Sequence, residues 1–162
     1  DHGQWDQEME MDMMDDIFWM LSDQVYRDVG GYSPYFWFNA EQAHLALRAV
    51  KAGHKLIYDP RARLWHKGSL SIGGRVDNPR LVYYNAQATL IFKYLNLSKF
   101  RFFSYYMATL FILLKGYGKY LLKRLLNRKP NRQFIDAQRR AVGYFNNWYF
   151  TRKENPGVTP FD

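Results

Sequence analysis

The period of the apolar positions changes several times along the chain, and each change predicts an element. Residues 1–15 are acidic and Met-rich, with no clear period. Ile17-Phe18-Trp19-Met20-Leu21 is a short continuous apolar run, the pattern of a buried strand. Ser22 supplies an N-cap for a short helix over residues 23–29, and Gly30-Gly31 stops it. An aromatic loop containing Pro34 covers residues 32–38. Residues 41–52 read as a helix with Leu45, Leu47, Ala49 and Val50 as its main apolar positions, and Gly53 stands where a C-cap glycine belongs. Residues 55–58 predict a strand, Asp59-Pro60 a turn, and residues 62–65 a second short strand. A Gly/Ser/Asn loop over residues 67–79 leads into helical character over residues 80–94. The most hydrophobic helical region spans residues 100–126, and a last helix is predicted over residues 136–149 ahead of a loose tail with Pro156 and Pro160. No internal repeat is evident.

Composition narrows this picture. With 162 residues, 48% hydrophobic and 23% charged, the chain is a folded protein with room for one domain, or a small domain and an appendage. Cysteine is absent, which excludes a disulfide framework, a thiolate metal site and a cysteine nucleophile. The aromatic share of 19% suits a stacked core, a sugar-binding cleft or a contact with lipid headgroups. The chain begins at Asp1 without an initiator Met and is expected to be part of a longer protein.

The net charge of +8 is placed unevenly. Residues 1–16 hold seven acids and no Lys or Arg, whereas residues 78–135 hold eleven Lys and Arg and no acid. A one-sign stretch of that length points to an anionic partner, and no nucleic-acid recognition motif accompanies it. The longest uncharged run in it, residues 102–114, has 13 residues, where a spanning helix needs roughly 20. Lys115, Lys119, Lys123 and Arg124 then interleave with Tyr117, Tyr120, Leu121 and Leu122, a basic amphipathic pattern suited to lying on a bilayer. The expected partner is an anionic membrane surface. A basic amphipathic binder of membrane or nucleic acid is the reading these residues carry by themselves.

A series of blocks carries a more specific signal. Val29-Gly30-Gly31-Tyr32 is followed by the aromatic Tyr35-Phe36-Trp37-Phe38, then by Glu41-Gln42-Ala43-His44-Leu45 with Arg48, then by Ala52-Gly53-His54 and a segment ending in Asp59-Pro60, then by Leu64-Trp65-His66-Lys67. In order and spacing, over roughly residues 16–95, this resembles the C-terminal half of family-2 glycosyltransferases, especially rhamnosyltransferase-like enzymes of surface polysaccharides. The resemblance implies an α/β fold: residues 1–98 as the acceptor-side, C-terminal part of a GT-A (Rossmann-like) domain, and residues 99–162 as an α-helical, basic, membrane-proximal tail. It implies an inverting, metal-dependent transfer from a nucleotide-sugar donor to a glycan or lipid-linked acceptor. The expected location is cytoplasmic, peripheral at the inner face of the cell membrane, and the donor pocket and its Asp-x-Asp motif would lie upstream.

The same resemblance assigns roles. Glu41 and Gln42 fall on the carboxylate pair at the head of the acceptor helix, where the second member is the general base. An amide cannot take up a proton in that way, so Gln42 can orient an acceptor but not deprotonate it, leaving Glu41 as base or the copy inactive as a binding module. His44 stands where the family shows a second Asp. Tyr35, Phe36, Trp37, His44 and Arg48 are expected to bind acceptor, and His66 to hold a divalent metal, Mg or Mn. Taken alone, the same residues read more plainly: Glu41 complements a helix dipole, Arg48 makes a structural contact, the aromatics fill a core, and the two glycines stop a helix.

Overall fold

A computed structural model describes residues 3, 5–13, 18–65, 78–128 and 131–157. Among them are five helices and one small sheet: β1 (Met9–Met11), α1 (Asp23–Val29), α2 (Glu41–Lys51), β2 (Leu56–Tyr58), α3 (Pro79–Asn96), α4 (Lys99–Leu125) and α5 (Gln133–Thr151). The chain therefore contains both element types, with helix predominating.

The sheet is an antiparallel pair in which Met9 faces Tyr58, Glu10 faces Ile57 and Met11 faces Leu56. Alternation explains β1: Met9 and Met11 are partly covered while Glu10 points outward to Lys55, 2.9 Å away. Leu56 and Met11 join Val29, Leu45, Ala46 and Ala49 in a small core shared by α1, α2 and the sheet. Among the described residues the two other strands expected from sequence, residues 17–21 and 62–65, do not form; Ile17 of the first lies outside those residues. Residues 18–21 are irregular, with Trp19 turned onto this core and Met20 exposed. Residues 62–65 follow the Asp59-Pro60 turn without regular structure, and Trp65 stands in solvent. A strand needs a ladder partner, and β1 and β2 pair with each other.

Side-chain caps fix where α1, α3 and α4 start. Ser22 Oγ accepts from the Val25 N–H at 3.2 Å, Asn78 Oδ1 from the Arg80 N–H at 3.0 Å, and Ser98 Oγ from the Arg101 N–H at 3.4 Å. Pro79 occupies the first turn of α3, where its missing N–H costs nothing.

The larger core joins α3 to α5. Ala137 and Ala141, one turn apart and fully buried, let α5 approach Tyr83 and Tyr84 of α3 closely. Further along, Ala88, Leu90 and Ile91 of α3 meet Val142, Phe145 and Trp148 of α5, with Phe36 of the aromatic loop in the same cluster. This core takes residues from both sides of the expected boundary at residue 98. The last helix thus returns onto the first part of the chain, and α4, joined to α3 by a short turn, packs with one side only. No helix among the described residues is long and apolar enough to cross a membrane.

Candidate functional site

The Val29-to-Arg48 blocks fold into one unit built around the end of α1 and the start of α2. Gly30 ends α1 with φ +70°, its N–H bonding back to the Arg27 carbonyl, and the Gly31 N–H bonds to the Tyr26 carbonyl at 3.0 Å. The φ of +68° at Gly31 favours glycine, and a Cβ there would lie 2.6 Å from the exposed Tyr26 ring, which would have to move aside. The chain then passes through the aromatic loop and enters α2 by two consecutive left-handed residues, Asn39 at φ +65° and Ala40 at φ +64°. Ala40 is the N-cap and its side chain makes no capping bond. Left-handed backbone at a non-glycine residue stores strain that the surroundings must hold in place. Part of that hold is visible: Asn39 Nδ2 donates to Asn85 Oδ1 of α3.

Glu41 and Gln42 occupy the first turn of α2, immediately after this strained entry, and both are partly buried. His44 lies one turn on, between the Phe36 ring at 5.3 Å and the Phe92 ring at 6.3 Å. Its Nδ1 is buried and meets no hydrogen-bond partner among the described residues. Burial, then the positive charges of Arg48 and Lys51, push its pKa down to about 4, so the imidazole is neutral at physiological pH. Arg48, a further turn along, donates to the Val29 and Gly31 carbonyls and to the His44 carbonyl. It satisfies the carbonyls left open at the end of α1 and locks the glycine turn against α2. His54 Nε2, just after α2, reaches Asp28 Oδ2 at 3.1 Å and ties the same two helices at another point.

The aromatic loop divides its residues between core and surface. Phe36 is buried, and Tyr35 stands edge-on to Trp148 with a centroid distance of 5.3 Å, so both pack into the α3/α5 core. Trp37 remains 56% exposed. The C-terminal segment borders it: a Cβ on Gly157 would meet the Trp37 ring at 3.0 Å, and the Asn155 N–H donates to the Pro34 carbonyl at 2.8 Å. Of the three aromatics expected to stack on an acceptor, Trp37 is the one whose surface a sugar could reach.

The remaining expectations divide as follows. Glu41, Gln42, His44 and Arg48 come together on one turn-spaced stretch of α2, while His66 lies outside the described residues. Among those residues, no group of three or more His, Cys, Asp or Glu is gathered to hold a metal. A cavity of about 380 Å³ opens between α3, α4 and α5, and one of its lining residues is Asn85, the acceptor for Asn39. That link and the left-handed entry are features the sequence reading missed. Asn39 carries a faint signal, because asparagine tolerates the left-handed region, and Ala40 carries none. The chain matches no protein-family model, no curated protein and no solved structure.

Proposed function

We propose that the chain forms the acceptor side of a nucleotide-sugar-dependent glycosyltransferase, making glycan on a polysaccharide or lipid-linked acceptor. The observation that carries this reading is the placement of Glu41. A carboxylate follows directly on two strained left-handed residues, in the first turn of a helix that Arg48 fixes to the glycine turn. Strain held next to a carboxylate is the arrangement expected of a positioned catalytic group. The order of blocks from Val29 to Lys67 supplies the reaction class.

In this reading the acceptor hydroxyl gives its proton to the Glu41 carboxylate as its oxygen attacks the anomeric carbon of the donor from the face opposite the leaving group. The bond from that carbon to the nucleoside diphosphate breaks, the diphosphate leaves with the electron pair, and the configuration inverts. Gln42 orients the acceptor through its amide. Trp37 offers an aromatic face to a sugar ring. The charge on the departing diphosphate is the part of the reaction that a divalent metal would offset.

Gln42 also favours a second reading, in which the chain keeps the fold as a non-catalytic binding module. The test is a comparison of wild type with Gln42→Asp, each joined to a donor-binding half, assayed for donor turnover with acceptor present. Turnover in the wild type supports the enzyme, and turnover that appears only in Gln42→Asp marks the wild-type chain as the non-catalytic module on a competent fold. Zero turnover in both favours the module.

A further inference from the structure

Helix α4 is 27 residues long and not one of them is buried. Its inner side is easily identified: Phe102, Tyr106 and Leu110 pack against the α3/α5 core, and the Tyr117 hydroxyl donates to Asp136 of α5 at 3.2 Å. Next to it, a solvent-facing side is apolar. Phe100, Phe103, Met107, Phe111 and Leu114 follow one another at steps of three or four residues, and Leu121 and Leu125 continue the line. At 3.6 residues per turn, these seven positions fall within an arc of about 80° and run along a helix of about 40 Å. Exposure is high throughout the stripe, reaching 80% at Phe100, 65% at Phe111, 70% at Leu114 and 82% at Leu125. Gly118 lies on the same line, and a Cβ there would meet nothing within 4 Å.

The flanks of the stripe are basic. By the same helical count Lys115 and Lys119 lie to one side of it, and Lys99 and Arg124 to the other. No acid occurs anywhere on α4. The nearest acid in sequence, Asp136, faces the inner side, where it accepts from Tyr117 and pairs with Arg132 at 3.1 Å.

We propose that α4 docks the protein on an anionic lipid bilayer, lying in the headgroup layer with the Phe100-to-Leu125 stripe among the upper acyl segments and its flanking cations at the phosphates. Three observations select this occupant. The helix is long, carries a narrow apolar stripe and has no acid, which is the pattern of an interfacial helix. Phenylalanine and leucine on that stripe leave no polar group to desolvate. The charge also disfavours a second copy of the chain, because two such faces brought together would oppose cation to cation with no acid to pair. The proposal goes beyond the sugar-transfer reading and does not depend on it.

The test is co-sedimentation of the protein with vesicles of phosphatidylcholine alone and of equal parts phosphatidylcholine and phosphatidylglycerol. Wild type is compared with F103Q/F111Q/L114Q and with K99Q/K115Q/K119Q. All six positions are on the outside of the fold or at its edge, so far-UV circular dichroism and thermal unfolding should stay at wild-type values and confirm that both variants are folded. Wild type should bind the anionic vesicles and leave the neutral ones largely unbound. Loss of the three lysines should weaken anionic binding by about fivefold each, on the order of a hundredfold together. Loss of the three apolar residues should weaken it by tenfold or more.

Three results would overturn the proposal. Equal binding to both vesicle types would remove the electrostatic part. Full retention of binding by the apolar variant, with loss only in the lysine variant, would make α4 a general polyanion face that nucleic acid fills equally well. Absence of vesicle binding together with a wild-type dimer that the apolar variant converts to monomer would assign the stripe to self-association.

Discussion

His44 is neutral because its surroundings exclude charge, and that has a measurable consequence. Its folded-state pKa, lowered to about 4 from the ordinary 6.5, lies below the unfolded one. In the window between those two values the unfolded chain takes a proton that the folded chain does not, so acidification favours unfolding. The contribution of His44 to stability is thus fully present above about pH 6.5, falls as pH drops toward 4, and changes no further below that. Denaturant unfolding of wild type and His44→Phe across this range should show a pH slope from this site in the wild type alone. An equal slope in both proteins would mean that other groups supply it. Arg48 acts at the same scale through hydrogen bonds. Arg48→Ala leaves the Val29 and Gly31 carbonyls without their charged donor and should cost about 2 kcal/mol of stability. Arg48→Lys should recover only part of that, because an ammonium cannot present the guanidinium fork.

At the scale of elements, what was legible in the sequence was local. Ser22 and the Gly30-Gly31 pair bound α1 where the cap and stop signals put them. Residues 41–52, 80–94, 100–126 and 136–149 all became helices with ends displaced by a few residues, because their apolar periods and caps are written in neighbouring positions. The strands were less legible for a physical reason. Whether Ile17–Leu21 or Met9–Met11 pairs with Leu56–Tyr58 depends on a partner more than thirty residues away, and an apolar run does not name its partner. The site divides along the same line. Glu41, Gln42, His44 and Arg48 share a helix and were found together, whereas the Asn39–Asn85 bond and the strained Ala40 are tertiary features. Relief of that strain should be visible: Ala40→Gly, which accepts a positive φ freely, should leave the fold intact and raise stability by about 1 kcal/mol in denaturant titration. A loss of stability would show that the Ala40 methyl packs more favourably than its backbone is strained.

For the whole molecule, the consequential feature is the return of α5 onto α3. Phe36, Ile91, Phe145 and Trp148 form one cluster although they are spread over more than a hundred residues, so the aromatic loop that leads into α2 and the C-terminal helices are expected to unfold together. Trp148, 1% exposed, is its largest fully buried side chain. Trp148→Ala should cost about 3–5 kcal/mol and lower the melting temperature by about 10 °C, with one transition seen by both far-UV and near-UV dichroism. Two separated transitions would show that the parts fold independently. Sequence patterning missed this coupling because nothing in the period of α5 says which helix it covers.

The central claim, that Glu41 is the proton acceptor of a sugar transfer, is tested most directly by the turnover number of Glu41→Gln in the protein that joins this chain to its donor-binding half. Labelled sugar transferred from nucleotide donor to acceptor would be counted against wild type. The side chain keeps its size and loses only its ability to take a proton, so kcat should fall by about a hundredfold or more while the donor KM stays within error. Transfer at the wild-type rate would contradict the assignment and leave Glu41 as a residue that starts a helix.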